Sequence, residues 1–355
     1  MYELLDLMPG ARNCVRDYAF IERGHKVLIW TDRTGEVDDR VVQAIAMACE
    51  EVGAETHLLS SHAGINRLRE PISPLVLSAM ESADVLITAL ELENAAIVDN
   101  LHFSYFLKRT GKRCVSLICP TPALLASAWA RFPGELVWAI YQKTAERARR
   151  GKDDMFHLTH PNGTDLRGRL PFVLGFSDKQ PPRGWMFFPA GDMAEHPESP
   201  VNGTVVFEHV EGFAGRLREP IRLTVEDHWV TRVEGGDEAR WLEDLMNRYE
   251  KGRYFSEIAI GTHPKAPVAE GLRRRAPDTI LFRHAGSFHA AVGHWPWLPE
   301  ADSRLHWDGG GLKPSFSVGG ETLIDSGRLL TLEDPAIVEL ASKFGDPAEI
   351  LSEVW

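Results

Sequence analysis

Between residues 26 and 150 the chain alternates short apolar runs with longer stretches of helical period. "KVLIWT" (26–31) reads as a buried strand, and Asp38–Val52 follows as an amphipathic helix rich in Ala and Val. The alternation continues with "AETHLLS" as a strand, Ser73–Ser82 as a helix and "ADVLITA" as a strand. A helical stretch through Leu107, "RCVSLIC" as a strand, and helices over Pro122–Trp129 and Pro133–Arg150 complete the series. Strands separated by helix-length segments predict βαβ units and a parallel sheet covered on both faces.

The period changes beyond "RARRGKDD" (147–154), a polar run that predicts a domain boundary. "HLTHPNGTDLRGRLPFVLGF", "GTVVFEHV", "IRLTVEDHWVTRVEGG", "SEIAIG", "TILFRHAG" and "GETLIDSGRLL" are short β-like runs divided by Gly, Pro and Asn. Helices interrupt them at about Glu238–Glu250, Pro335–Phe344 and Pro347–Val354. The expected architecture is an α/β domain with a parallel sheet over 1–152, followed by an α+β, β-rich, barrel-like domain over 153–355.

Composition sharpens this picture in three places. A chain of 355 residues exceeds the size at which one core usually stops growing, so two domains are expected. A net charge of -12 argues against nucleic acid or an anionic membrane as partner, since either requires a basic face. The four cysteines (Cys14, Cys49, Cys114, Cys119) form no CxxC pair and read as reduced, buried thiols. The first residues carry early acids and no sustained apolar run, which is unlike a signal peptide, and no stretch approaches the ~20 apolar residues of a membrane span. A soluble cytoplasmic protein is expected. The first half also lacks a GxGxxG or GxxxxGK[ST] loop, and "DRTGEVDDR" is too acidic to cradle phosphate.

Chemistry gathers in the second half. Ten of the fourteen histidines follow residue 150, and His284, His289, His294 and His306 fall within 23 residues. One histidine alone is more often a hydrogen-bonded core or surface group, but a divalent cation needs several N and O ligands from different strands. Four segments are candidates. "FFPAGDMAEHPESPVNGT" (187–204) approaches Asp192, and "RYFSEIAIGTHPKA" (253–266) places Glu257 in an apolar strand between same-face Phe255 and Ala259. "AGSFHAAVGHWPW" (285–297) sets His289 among small residues. In "RLHWDGGG" (304–311) the period of two sends His306 and Asp308 to one face. An unpaired Glu inside an apolar strand costs several kcal/mol, so Glu257 needs a partner or a cation. The glycines after Asp308 read as backbone that passes close to a metal or turns sharply.

The order FPxG-acid, Glu-x-x-x-Gly-Thr-x-Pro, Gly-x-x-His-x-Ala-x-Gly and His-Trp-Asp resembles the metallo-aminopeptidases of the aminopeptidase T type. Their superfamily also contains the 2,5-dihydroxypyridine dioxygenases, which use a single non-haem iron. The resemblance is sharpest over 187–308. Its peptidase branch implies two metals, zinc, manganese or cobalt, on Asp192, Glu257, His289, His306 and Asp308. Metal-activated water would then attack an amide or related carbonyl of a small molecule or short peptide. Glu195 and His294 are the candidate catalytic side chains. The tyrosine that such peptidases carry seven positions after His289 is replaced by Pro296, and Gly309–Gly311 stand where they continue with apolar residues, a departure that implies a widened or reshaped pocket. The dioxygenase branch implies iron(II) on Glu257 (where that group has His), His306 and Asp308, and the opening of a dihydroxylated aromatic ring. A triad of His289, His306 and Asp308 is the other possibility for iron. "SADVLITALELEN" and "TGKRCVSLICPTPALLASAW" look closer to the dioxygenases. With every ligand position of the two-metal set filled, the sequence reading leads with a metallohydrolase, and the resemblance implies a homodimer. Trp185, Trp295, Trp297 and Phe288 can line a pocket or form core. Arg283 and His284 can bind a carboxylate.

Overall fold

Parallel strands build the first sheet. Its order is Gly184–Phe188, Arg113–Leu117, Val85–Ala89, Lys26–Asp32 and Glu55–Ser61, all parallel. A computed structural model describes residues 2–32, 37–61, 70–89, 96–98, 101–170, 184–198, 200–211, 213, 216–271, 278–293 and 305–355. Every residue of the central strand Val85–Ala89 is buried, as a strand covered on both faces must be. Leu28, Trp30 and Leu86 pack with Val76, Met80, Phe103 and Phe106 on one face, while the alternate residues Val27, Ile29, Ile87 and Val115 are equally buried. The helices begin where the sequence supplies acceptors. Asp38 accepts from the Arg40 N–H at the start of Asp39–Glu51, and Ser73 from the Val76 N–H before Pro74–Ser82.

One helix of this unit is not predicted from the sequence, and one strand lies outside its expected domain. A helix, Leu4–Asn13, forms although Pro9 lies inside it, a residue that reads as a breaker. The strand Gly184–Phe188 joins the first sheet although it follows residue 152, because parallel pairing is non-local and "GWMFF" does not reveal its partner. The chain divides into two compact units, Met1–Glu135 with Phe176–Ala190, and Leu136–Gly175 with Gly191–Trp355.

The second unit divides its strands between two antiparallel sheets instead of closing them into a barrel. The larger has eight strands, from Trp229–Glu234 at one edge to Arg328–Leu329 at the other. The smaller has the order Asp192–Glu195, Phe255–Gly261, Ser287–Gly293, His306–Leu312 and His209–Val210. All residues of its three central strands are buried. One face of this sheet is apolar: Met193, Ile258 and Ile260 meet Phe316 and Leu323 of the larger sheet around a small cavity. The other face carries Glu257, His289, His306 and Asp308. Among the described residues no helix is long and apolar enough to cross a membrane.

Candidate metal centre

Strand register explains why the charged residues converge. Ala291 pairs with Glu257 on one side and with Asp308 on the other, and opposite residues in an antiparallel ladder share a face. A methyl group between two carboxylates leaves room for both to lean inward. His306 lies opposite Gly293, and His289 opposite Ala259 and Gly310, so small residues again flank the imidazoles. The expectation that Phe255 shares a face with Glu257 fails. The register shifts between them, pairing Phe255 with Val292, and this bulge turns Phe255 to the apolar face.

The resulting contacts are close and dry. His289 Nε2–H donates to Glu257 Oε1 at 3.1 Å. His306 Nε2 lies 3.3 Å from Glu257 Oε2 and 3.4 Å from Asp308 Oδ1. Glu257, His306 and Asp308 are 5, 3 and 9 % exposed, and one ligating atom from each falls within 4.8 Å of the others. Asp192 Oδ2 is 4.0 Å from His289 Nε2 and 3.7 Å from Arg283 Nη2, and Asp192 and His289 fall outside the three-residue group. Phe282 stacks on His289 with 4.4 Å between ring centres and fixes its plane.

Burial pushes the Glu257 carboxyl up, against the pull of its bond to His289. It pushes Asp308 up too, but the imidazoles of His306 and His289 and the guanidinium of Arg283 outweigh it and hold that carboxyl low. Burial works against a charged His289, yet Glu257, Asp308 and Asp192 raise its pKa. Two carboxylates and an imidazole gathered out of water form an oxygen–nitrogen donor set that a divalent cation satisfies. Asp308 Oδ1 is buried with only the long 3.4 Å contact to His306 Nε2, a second member of the group, so a cation between the two would satisfy it.

The remaining expected site residues go elsewhere. Glu195 pairs with Ile258 and points to the apolar face, where it lines the small cavity, so it does not join the cluster. Burial, then the charge of Glu257, push its carboxyl up to about 8. The folded protein therefore keeps this proton to about pH 8, while the unfolded chain releases it near 4.3, so stability falls as pH rises across that window. Glu195→Gln should remove the fall and exceed the parent at pH 9 by about 1–3 kcal/mol, a figure discounted for partial exposure. Urea midpoints at pH 5 and 9 check this; equal slopes for both proteins would refute it.

His196 is held by the Ser256 carbonyl at 2.6 Å, and His284 by the Ala266 carbonyl at 2.9 Å. Trp185 belongs to the first unit, donating to Ser116 Oγ, and Phe288 is core. His294, Trp295, Pro296 and Trp297 lie outside the described residues. The Gly309–Gly311 run neither turns nor opens a pocket. It continues the His306 strand, and the space its side chains would take is filled by Phe207, Phe282 and Phe288. Sequence reading missed His209 and Glu211, both buried. His209 lies across from Gly310, with its Nε2 unpartnered and its pKa lowered to about 3 by burial, and the Glu211 N–H donates to the Asp308 carbonyl at 2.9 Å. The signal was available: "FEHVEG" repeats the His-x-acid spacing of His306 and Asp308.

A profile of the NicX family, described as 2,5-dihydroxypyridine 5,6-dioxygenase, matches residues 17–331. The chain belongs to this 2,5-dihydroxypyridine 5,6-dioxygenase family. A curated family relative, the 2,5-dihydroxypyridine 5,6-dioxygenase of Pseudomonas putida, is 25% identical over 227 residues, which are 61% of this chain and 61% of the relative. The chain thus spans about three-fifths of the length of that relative. The solved 2,5-dihydroxypyridine dioxygenase from Pseudomonas putida superposes with a TM-score of 0.69 at 18% identity, over 93% of this chain and 98% of the other. AmpT from Thermus thermophilus superposes with a TM-score of 0.57 at 17% identity, over 92% and 99%. Both likenesses are of fold. The family match bears out the resemblance read from the four motifs, and AmpT shares the fold.

Proposed function

We propose that the protein is a ring-opening dioxygenase that holds one iron(II) on Glu257, His306 and Asp308 and acts on a dihydroxylated aromatic such as 2,5-dihydroxypyridine. The observation that carries this reading is the three-residue group within 4.8 Å, of a size for one cation, in a chain whose family match runs over residues 17–331. The chain departs from the pattern of that group at Glu257, where an imidazole is expected, so the donor set has two carboxylates and one imidazole.

Iron(II) on these ligands would supply the redox chemistry that lets dioxygen react with an electron-rich ring. The protein's own groups do the rest. His289 steers Glu257 through its Nε2–H, and Phe282 holds the His289 ring in place. Burial of all three ligands keeps bulk water from competing for the site. Arg283 lends positive charge beside the cluster, which favours a substrate oxygen carrying negative charge.

One observation favours the metallohydrolase as a second reading: Asp192 and His289, the remaining members of the two-metal set, stand within 4.0 Å of each other beside the group. Oxygen uptake separates the two. Protein loaded with iron(II) should consume oxygen with 2,5-dihydroxypyridine or a dihydroxybenzene and release no amine from aminoacyl substrates. Amine release without oxygen uptake would overturn the dioxygenase.

A further inference from the structure

Asp192 belongs to the peptidase ligand set, yet in this fold it faces a permanent cation. Its Oδ2 is 3.7 Å from Arg283 Nη2, and the Arg283 and Asp192 side chains are only 5 and 15% exposed. A guanidinium cannot give up its proton in a protein, so this charge is always present. We propose that Arg283 is a fixed internal cation that takes the place of a second metal ion and keeps Asp192 out of the ligand set. The centre then accepts a single divalent cation.

The placement of Arg283 is built in by the backbone. Gly191 carries no side chain because a Cβ there would lie 2.5 Å from the His263 Cβ and 3.1 Å from the Arg283 Cβ. The Thr262 N–H donates to the Gly191 carbonyl at 2.6 Å, and the His263 N–H to the Arg283 carbonyl at 2.8 Å. The segment 262–263 thus ties the residue before Asp192 to the residue that bears the guanidinium. Tyr141 is buried beside the same pair: burial and then Asp192 raise its pKa, while Arg283 acts in the opposite sense. The reach of Arg283 extends to Asp308, whose carboxyl it helps keep low.

Electrostatics then decides the metal count. Paired metals in hydrolases sit ~3.5–4 Å apart and share carboxylates. A second dication drawing on Asp192 would meet the guanidinium at similar range in a dry pocket, where like charges repel most strongly. Asp192 and His289 are also the two expected ligands that fall outside the group formed by Glu257, His306 and Asp308.

This inference rests on the reading that those three residues hold a metal, and its test separates the two. Metal-free protein is titrated with manganese(II), with calorimetry for stoichiometry, electron paramagnetic resonance for coupled metal pairs and circular dichroism for folding. The parent is expected to bind one equivalent with an uncoupled signal. Arg283→Met should bind two and show an exchange-coupled pair, and adding Asp192→Asn should return the count to one. Arg283→Lys, which keeps the charge, should stay at one. Two equivalents in the parent, or one in a folded Arg283→Met, would overturn the proposal. If Arg283→Met does not fold, Asp192→Asn alone decides, since loss of the single metal there would make Asp192 a ligand and overturn it, whereas retention supports it. No binding by the parent or any variant would instead remove the metal centre itself.

Discussion

Replacing His306 by alanine is expected to strip the protein of its metal and abolish turnover. His306 is the imidazole of the three-residue group and lies within 3.4 Å of both carboxylates. Residues that merely support a ligand already change metal affinity by about 10–100-fold, so a ligand itself should cost more than about 100-fold. The loss has a thermodynamic counterpart. At a metal concentration about 1,000 times its dissociation constant, binding adds about 4 kcal/mol to the folded state. A chelator should therefore lower the melting temperature of the parent and leave that of His306→Ala unmoved. His196→Ala is the control, because that imidazole is committed to the Ser256 carbonyl and should leave metal content unchanged. Metal analysis of the purified variants decides the matter, and full occupancy in His306→Ala would remove this residue from the centre.

Gly310→Ala should produce the second large effect, on stability. A Cβ at this position would lie 2.3 Å from the main-chain oxygen of Phe288, and 2.9 and 3.2 Å from Phe282 Cε1 and His209 Nε2. The carbonyl belongs to the neighbouring strand and cannot turn away, so the strands must part, at a cost of about 3 kcal/mol. Gly311→Ala meets only the edge of the Phe288 ring, at 2.7 Å, and a ring can shift where a main chain cannot. Denaturant titration should therefore rank Gly310→Ala well below Gly311→Ala. The same strands carry His289, His306 and Asp308, so metal affinity should fall with stability in the first variant. Equal midpoints for Gly310→Ala and the parent would show that the sheet absorbs the methyl group.

Local pattern was a good guide where neighbours in sequence decide the outcome. The alternation over 26–150 predicted the parallel strands, since a strand buried on both faces must be continuously apolar. His306 and Asp308 were legible as a same-face pair because a strand's period of two needs no tertiary information. Glu257 stood out as a charge that an apolar strand cannot carry unaided. Three placements were not legible. Phe255 moved to the far face because of a one-residue register shift, which depends on the partner strand. Glu195 is three residues after Asp192, yet its pairing with Ile258 sends it to the apolar side. The three glycines looked like room for a substrate, and aromatic rings from other strands and loops occupy that room.

By itself, then, the sequence determined the order of motifs, the kinds of ligand available and the superfamily to which they belong, because residue type and spacing are local properties. Tertiary structure decided which ligands meet. Ala291 between Glu257 and Asp308 lets three groups converge on one point, while Arg283 meets Asp192 across 91 residues of chain. Whether a carboxylate joins the Glu257, His306 and Asp308 group or faces a guanidinium depends on a few ångströms set by strand register and by the missing side chain of Gly191, and no spacing along the chain encodes that distance.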